Sequence, residues 1–67
     1  MTQSQYTVVG MTGGHCVASV TEEVGEIAGV SDIAVDLASG SLTFSADRDI
    51  ARGEVEAAVQ EAGYQLA

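Results

Sequence analysis

Ile33-Ala34-Val35-Asp36-Leu37-Ala38-Ser39-Gly40-Ser41-Leu42-Thr43-Phe44-Ser45 is the stretch that decides the fold. Ile33, Val35 and Leu37 alternate with Ala34 and Asp36, and Leu42 and Phe44 alternate with Thr43 and Ser45. A period of two puts one face of a strand in a core. Between the runs, Ala38-Ser39-Gly40-Ser41 carries a Ser-Gly turn signal, so the two strands are predicted to pair as a hairpin. The segments on either side have a different period. Val17, Val20, Val24 and Ile27 recur at spacings of three and four, which lines one face of a helix expected over residues 16–28, with Glu22, Glu23 and Glu26 largely on the other side. Gly25 within that helix costs up to about 1 kcal/mol relative to alanine. After the hairpin, Val55, Ala58, Val59 and Ala62 form a second stripe, with Glu54 and Glu61 away from it.

Ala28-Gly29-Val30 and Ala62-Gly63-Tyr64 each place a glycine where a left-handed helix cap is wanted, followed by an apolar residue, so both helices are predicted to stop there. The outer strands are Tyr6 and Val8 alternating with Thr7 and Val9, and Tyr64 and Leu66 flanking Gln65. Ala46-Asp47-Arg48-Asp49 is expected to be the least structured segment. The order is strand, helix, strand, strand, helix, strand. With right-handed crossovers this makes an α+β, ferredoxin-like βαββαβ sandwich, a four-stranded antiparallel sheet with both helices on one face. Its core is expected to set Val20, Val24, Ile27, Val55 and Val59 against Tyr6, Val8, Ile33, Val35, Leu42 and Phe44.

Sixty-seven residues with 46% apolar content and no proline fit one compact domain, residues 1–67. No apolar run approaches the roughly 20 residues of a membrane span, and no export signal is visible, so a soluble chain is expected. Ten acidic residues against Arg48 and Arg52, with no lysine, give a formal charge of -8. Nucleic acid and anionic membrane surfaces would repel such a chain, whereas a basic protein partner would attract it. The charge serves equally well simply to keep a small domain in solution. The single cysteine, Cys16, has no internal disulfide partner, which favours a reducing cytoplasm.

Gly10-Met11-Thr12-Gly13-Gly14-His15-Cys16 joins the first strand to the first helix. It resembles the Gly-Met-x-Cys-x-x-Cys loop of heavy-metal-associated domains, found in small copper chaperones and in the N-terminal domains of copper-transporting ATPases. Gly10, Met11 and Cys16 match, while Gly13 stands where the first cysteine belongs. The element order and the Gly29-Val30 and Ala62-Gly63-Tyr64 corners fit the family along essentially the whole chain. The resemblance implies a non-enzymatic copper(I) chaperone or metal-binding domain delivering metal to a copper-transporting P-type ATPase domain. Copper(I) is a soft ion that prefers thiolates, and two on one loop hold it while leaving room for an incoming third. A helix start favours the Cys16 thiolate.

With Gly13 in the loop the resemblance implies a weakened copper(I) site, completed from Cys16 of a second molecule, from a small thiol such as glutathione, or from His15. His15 and Cys16 are adjacent on a helical start and point about 100° apart, so an exposed loop histidine is the other reading of His15. By resemblance Met11 packs under the loop, though a thioether is also a candidate ligand. Tyr64 resembles the tyrosine that bacterial copper chaperones keep beside the metal, and as a half-buried aromatic it also suits the edge of the core. Thr12 reads as a loop and helix-start residue whose lack of charge points toward copper(I). Two other classes stand beside the chaperone. One is a divergent interaction module using Cys16 for bridged metal, thiol adducts or no ligand, and the other a thiol enzyme, for which no second histidine or orienting carboxylate accompanies Cys16.

Overall fold

A computed structural model describes residues 2–67. The chain forms β1 (Thr2–Val9), α1 (Gly14–Gly25), β2 (Val30–Asp36), β3 (Ser41–Ala46), α2 (Arg52–Glu61) and β4 (Gln65–Leu66). The strands make one antiparallel sheet in the order β2-β3-β1-β4, and the helices pack together on it, as the element order predicts. Among the described residues no helix is long and apolar enough to cross a membrane.

The core follows the two periodicities. Val20 and Val24 from α1 and Val55 and Val59 from α2 are fully buried against Leu42 and Phe44 of β3 and Val8 of β1. Tyr6, Ile27, Ile33 and Val35 are half-buried and pack against this cluster, so every residue of the expected core is in contact with it. Tyr6 stacks on Phe44, the rings 6.1 Å apart and 13° from parallel.

Four expectations need correction. Ala46 is not the start of an unstructured segment: it continues the inward parity of Leu42 and Phe44, pairs with Thr2 and Val30, and is 1% exposed. Leu37 is not strand but turn, 40% exposed, because Asp36 closes the ladder against Ser41 and the turn occupies residues 37–40. There the Asp36 carboxylate accepts the Ala38 N–H at 3.0 Å. Helix α1 starts at Gly14 rather than Cys16, since the Gly13 carbonyl already accepts from Cys16 and Val17, and it ends at Gly25 rather than at residue 28. Gly29 therefore caps no helix; at φ +87° it occupies the third position of the turn that the Val30 N–H closes onto Ile27, where a left-handed residue is wanted.

Gly63 does what the sequence predicts. At φ +96° it follows the Ala62 cap, its N–H meets the Gln60 carbonyl at 2.9 Å, and the Tyr64 N–H meets Val59 at 3.0 Å. These are the paired bonds of a Schellman stop, and they aim Tyr64 back toward the start of β4.

Strand β2 carries a feature that its alternation does not reveal. Ser31 faces Ser45 but Ala34 faces Thr43, so β2 spends one residue more than β3 over that interval. Asp32, the one described non-glycine residue at positive φ (+52°), absorbs the excess as a bulge. Val30 and Ile33 have opposite parity, yet the bulge turns both toward the core. A β-branched residue at a left-handed position is strained, so Asp32→Val is expected to lower stability by about 1–2 kcal/mol while Asp32→Gly leaves it nearly unchanged. Urea denaturation of the two variants beside the parent checks this, and equal losses would show that left-handed strain is not what position 32 responds to.

Candidate metal centre

Loop 10–13 is shaped by two glycines with different tasks. Gly10 has φ +99°, and a Cβ placed there would meet the Tyr64 ring at 3.6 Å, so the chain turns sharply out of β1 beneath that ring. Gly13 is extended, at φ -170° and ψ 179°, a conformation open to any residue, and a Cβ there would meet nothing within 4 Å. Position 13, where the resemblance would set a first cysteine, thus has open space for a side chain.

Cys16 is the third residue of α1 and is half-buried. Its sulfur accepts the Thr12 backbone N–H at 3.4 Å and lies 3.9 Å from the Thr12 hydroxyl. The Thr12 N–H is the main cause that pulls the thiol down to about 7, followed by the Tyr64 hydroxyl; partial burial opposes them and the Gly13 N–H and Thr12 hydroxyl add smaller help. The same proximity pushes the Tyr64 phenol up, keeping it a donor toward the thiolate. In the resting conformation the Tyr64 hydroxyl completes no hydrogen bond to the sulfur, so Thr12 is the partner fixed by geometry. The thiolate is therefore more accessible at neutral pH than that of an unperturbed cysteine.

The remaining candidates separate. Met11 is half-buried and packs against the core, as does the Tyr64 ring. Thr12 and His15 are exposed. No group of three or more His, Cys, Asp or Glu side chains that suits a metal ion occurs among the described residues. The donor set that suits a soft ion is therefore one thiolate, with open space at position 13. Sequence reasoning names Cys16 and Tyr64 as candidates but not the Thr12 N–H that meets the Cys16 sulfur. That bond depends on the loop folding back four residues ahead of the cysteine, which no residue type signals.

Alkylation of Cys16 in the folded protein is expected to rise with pH through a midpoint near 7, against about 9 for an unperturbed thiol. Tyr64→Phe removes a group that lowers the thiol and is expected to move the midpoint upward. A rate as slow as that of a buried thiol, or a midpoint at the unperturbed value, would contradict this geometry.

Comparison with known proteins places this loop in context. The chain is 37% identical over 68 residues to the copper chaperone CopZ of Bacillus subtilis (strain 168), covering 100% of this chain and 99% of that protein. It is 42% identical over 65 residues to a zinc/cadmium/lead-transporting P-type ATPase of Shigella sonnei (strain Ss046), covering 97% of this chain and only 9% of that protein's length. A solved CopZ metallochaperone superposes with a TM-score of 0.90 at 28% identity, covering 98% of this chain and 100% of that one. The profile of the heavy-metal-associated domain matches residues 5–65, and the chain belongs to that family.

Proposed function

We propose that residues 1–67 act as one cytoplasmic, non-enzymatic metal-handling domain that carries copper(I) on Cys16 and passes it to a copper-transporting P-type ATPase. In this reading Gly13 weakens retention of the ion. The observation that carries it is the Cys16 thiolate: half-exposed, on an open loop, held by a backbone N–H and accessible to a second sulfur. Relatives named for copper and relatives named for zinc, cadmium and lead match at similar identity, so the metal is argued from the loop. No acidic residue occurs in residues 1–21, whereas a divalent ion such as zinc favours more ligands and tolerates carboxylates. A thiolate with no carboxylate beside it suits a soft monovalent ion.

Transfer from such a site is ligand exchange. Cys16 gives up its proton when it takes the ion, an acceptor thiolate enters through the side left open at Gly13, and the ion leaves as the Cys16 bond breaks. Met11 and Tyr64 support the loop from the core side. The match to the heavy-metal-associated domain over residues 5–65 supports a carrier over a thiol enzyme.

The docking partner in this reading presents a basic surface. Both arginines are already engaged: Arg48 pairs with both Glu54 oxygens and donates to the Ala28 carbonyl at 2.9 Å, while Arg52 donates to Ala67 and lies 5.8 Å from the centre of the Tyr6 ring. The carboxylates elsewhere therefore face outward without local cations. Association with an ATPase metal-binding domain is expected to weaken as salt rises, and binding indifferent to salt would count against an electrostatic encounter.

The decisive measurement is a copper(I) competition titration of the parent, Gly13→Cys and Cys16→Ser. Position 13 has room for a side chain and no strain to relieve, so Gly13→Cys changes the donor set and not the fold. A second sulfur on the same loop acts at high effective concentration, and Gly13→Cys is expected to bind about 10²–10⁴-fold more tightly than the parent. Binding by the parent is expected to depend on protein concentration or added thiol and to vanish in Cys16→Ser. Equal one-to-one affinity for parent and Gly13→Cys would mean that position 13 is no ligand position.

A further inference from the structure

Arg52 opens α2, where a cation faces the positive end of the helix dipole and gains nothing from it. It is one of two arginines in a chain with no lysine and ten acids, yet among the described residues it forms no ion pair with a carboxylate side chain. Its guanidinium instead donates to the Ala67 carbonyl at 2.9 Å and lies 5.8 Å from the centre of the Tyr6 ring. Tyr6 in turn stacks on the fully buried Phe44, so the ring that receives the guanidinium is itself anchored in the core.

Ala67 ends the segment that begins with Tyr64. Between them β4 is two residues long, lies at an edge of the sheet and pairs with β1 alone, Gln65 opposite Val9 and Leu66 opposite Val8. The Ala67 N–H continues the ladder to the Thr7 carbonyl at 2.9 Å. So short an edge strand opens easily unless its ends are tied. Helix α2 ties both: the Val59 carbonyl near its end accepts the Tyr64 N–H, and Arg52 at its start takes the Ala67 carbonyl. The Tyr64 ring then stands 3.6 Å from where a Gly10 Cβ would lie, with its hydroxyl close enough to Cys16 to feel the sulfur.

We propose that Arg52 is a positioning residue of the thiol site: by fastening Ala67 it keeps β4 seated on β1, and so keeps the Tyr64 ring over Gly10 and beside Cys16, where the ring limits access to the sulfur. The proposal rests on the reading of Cys16 as the working thiolate. It adds a residue that sets how freely an incoming ligand reaches that sulfur. Arg52 stands at the end of the molecule where β3 leaves the sheet, so it acts on the site through β4.

The test compares the parent, Arg52→Gln, Tyr64→Ala and the double variant, all without metal. Arg52 is exposed, so its replacement removes the clasp and leaves the core packing in place. In Arg52→Gln the Ala67 amide is expected to exchange several-fold faster, and the Gly10 Hα resonances to shift as the ring current of Tyr64 moves away from them. Alkylation of Cys16, measured at a pH where the thiol is fully ionised so that the rate reads access, is expected to rise several-fold. In the Tyr64→Ala background the same substitution is expected to add no further gain, because the ring through which it acts is gone. Faster exchange at Ala67 with Gly10 and Cys16 unmoved would show a clasp confined to β4 and overturn the proposal. An equal gain in alkylation with and without the Tyr64 ring would overturn it too, since Arg52 would then act by another route. Arg52→Gln keeps every residue of the site, so the Gly10 resonances decide the matter even if Tyr64→Ala does not fold. The copper(I) reading stands or falls separately, on the titration of the parent against Cys16→Ser.

Discussion

Burial of Leu42, Phe44 and Ala46 on one side of β3 is the constraint from which the other elements take their places. This strand pairs with β2 on one edge and β1 on the other, so its inward row fixes which face of the sheet both helices must cover. Apolar burial of this kind is worth about 1.5–3 kcal/mol for each large side chain, and a chain this small has few such residues. Once Val20 and Val24 seat on that row, the start of α1 is carried to the end of β1, and loop 10–13 has only a short gap to bridge. The position of the thiol is thus a result of packing that lies elsewhere.

At the site itself the dominant effects are local and electrostatic. A thiolate needs donors and the absence of nearby negative charge, and Cys16 has both: the Thr12 N–H points at it, and no acidic residue occurs in the first turn of α1. The helix has no side-chain cap at Gly13, which leaves the Gly14 and His15 N–H groups unclaimed by a side-chain oxygen. Gly13, which sets no side-chain oxygen there, therefore leaves the Cys16 sulfur in a favourable field. By contrast, the Arg48–Glu54 pair, with both side chains about 40% exposed, adds little to stability. Its use is geometric, since Glu54 also accepts the Ala51 N–H and Arg48 reaches the Ala28 carbonyl, joining the corner before β2 to the start of α2.

The architecture and most of the core were legible because they depend on periodicity, and periodicity is a property of sequence. Gly63 was legible as a helix stop for the same reason that it works: it takes a left-handed conformation directly after an apolar helical stripe. Gly29 shows the limit of that signal, because a tight turn after a short gap asks for the same backbone as a helix cap. Ala46 was obscured by its small side chain and by the charged residues after it, although the parity of β3 runs through it. Val30 was hidden by the bulge, which reverses parity where residue types alone give no warning. At the candidate site the sequence points to Cys16, Gly13 and Tyr64 but not to the bonding around the thiol, because the Thr12 N–H belongs to the backbone and every residue but proline offers one.

The bulge at Asp32 has a meaning beyond register. Strand β2 lies at the outer edge of the sheet, where unpaired backbone groups invite a strand from another molecule. The opposite edge is β4, only two residues long and a poor template. The exposed edge of β2 is broken in its middle by a left-handed residue bearing a carboxylate, so an incoming strand finds neither a continuous ladder nor a neutral surface. The sheet thus resists extension into fibrous stacks along its β2 edge.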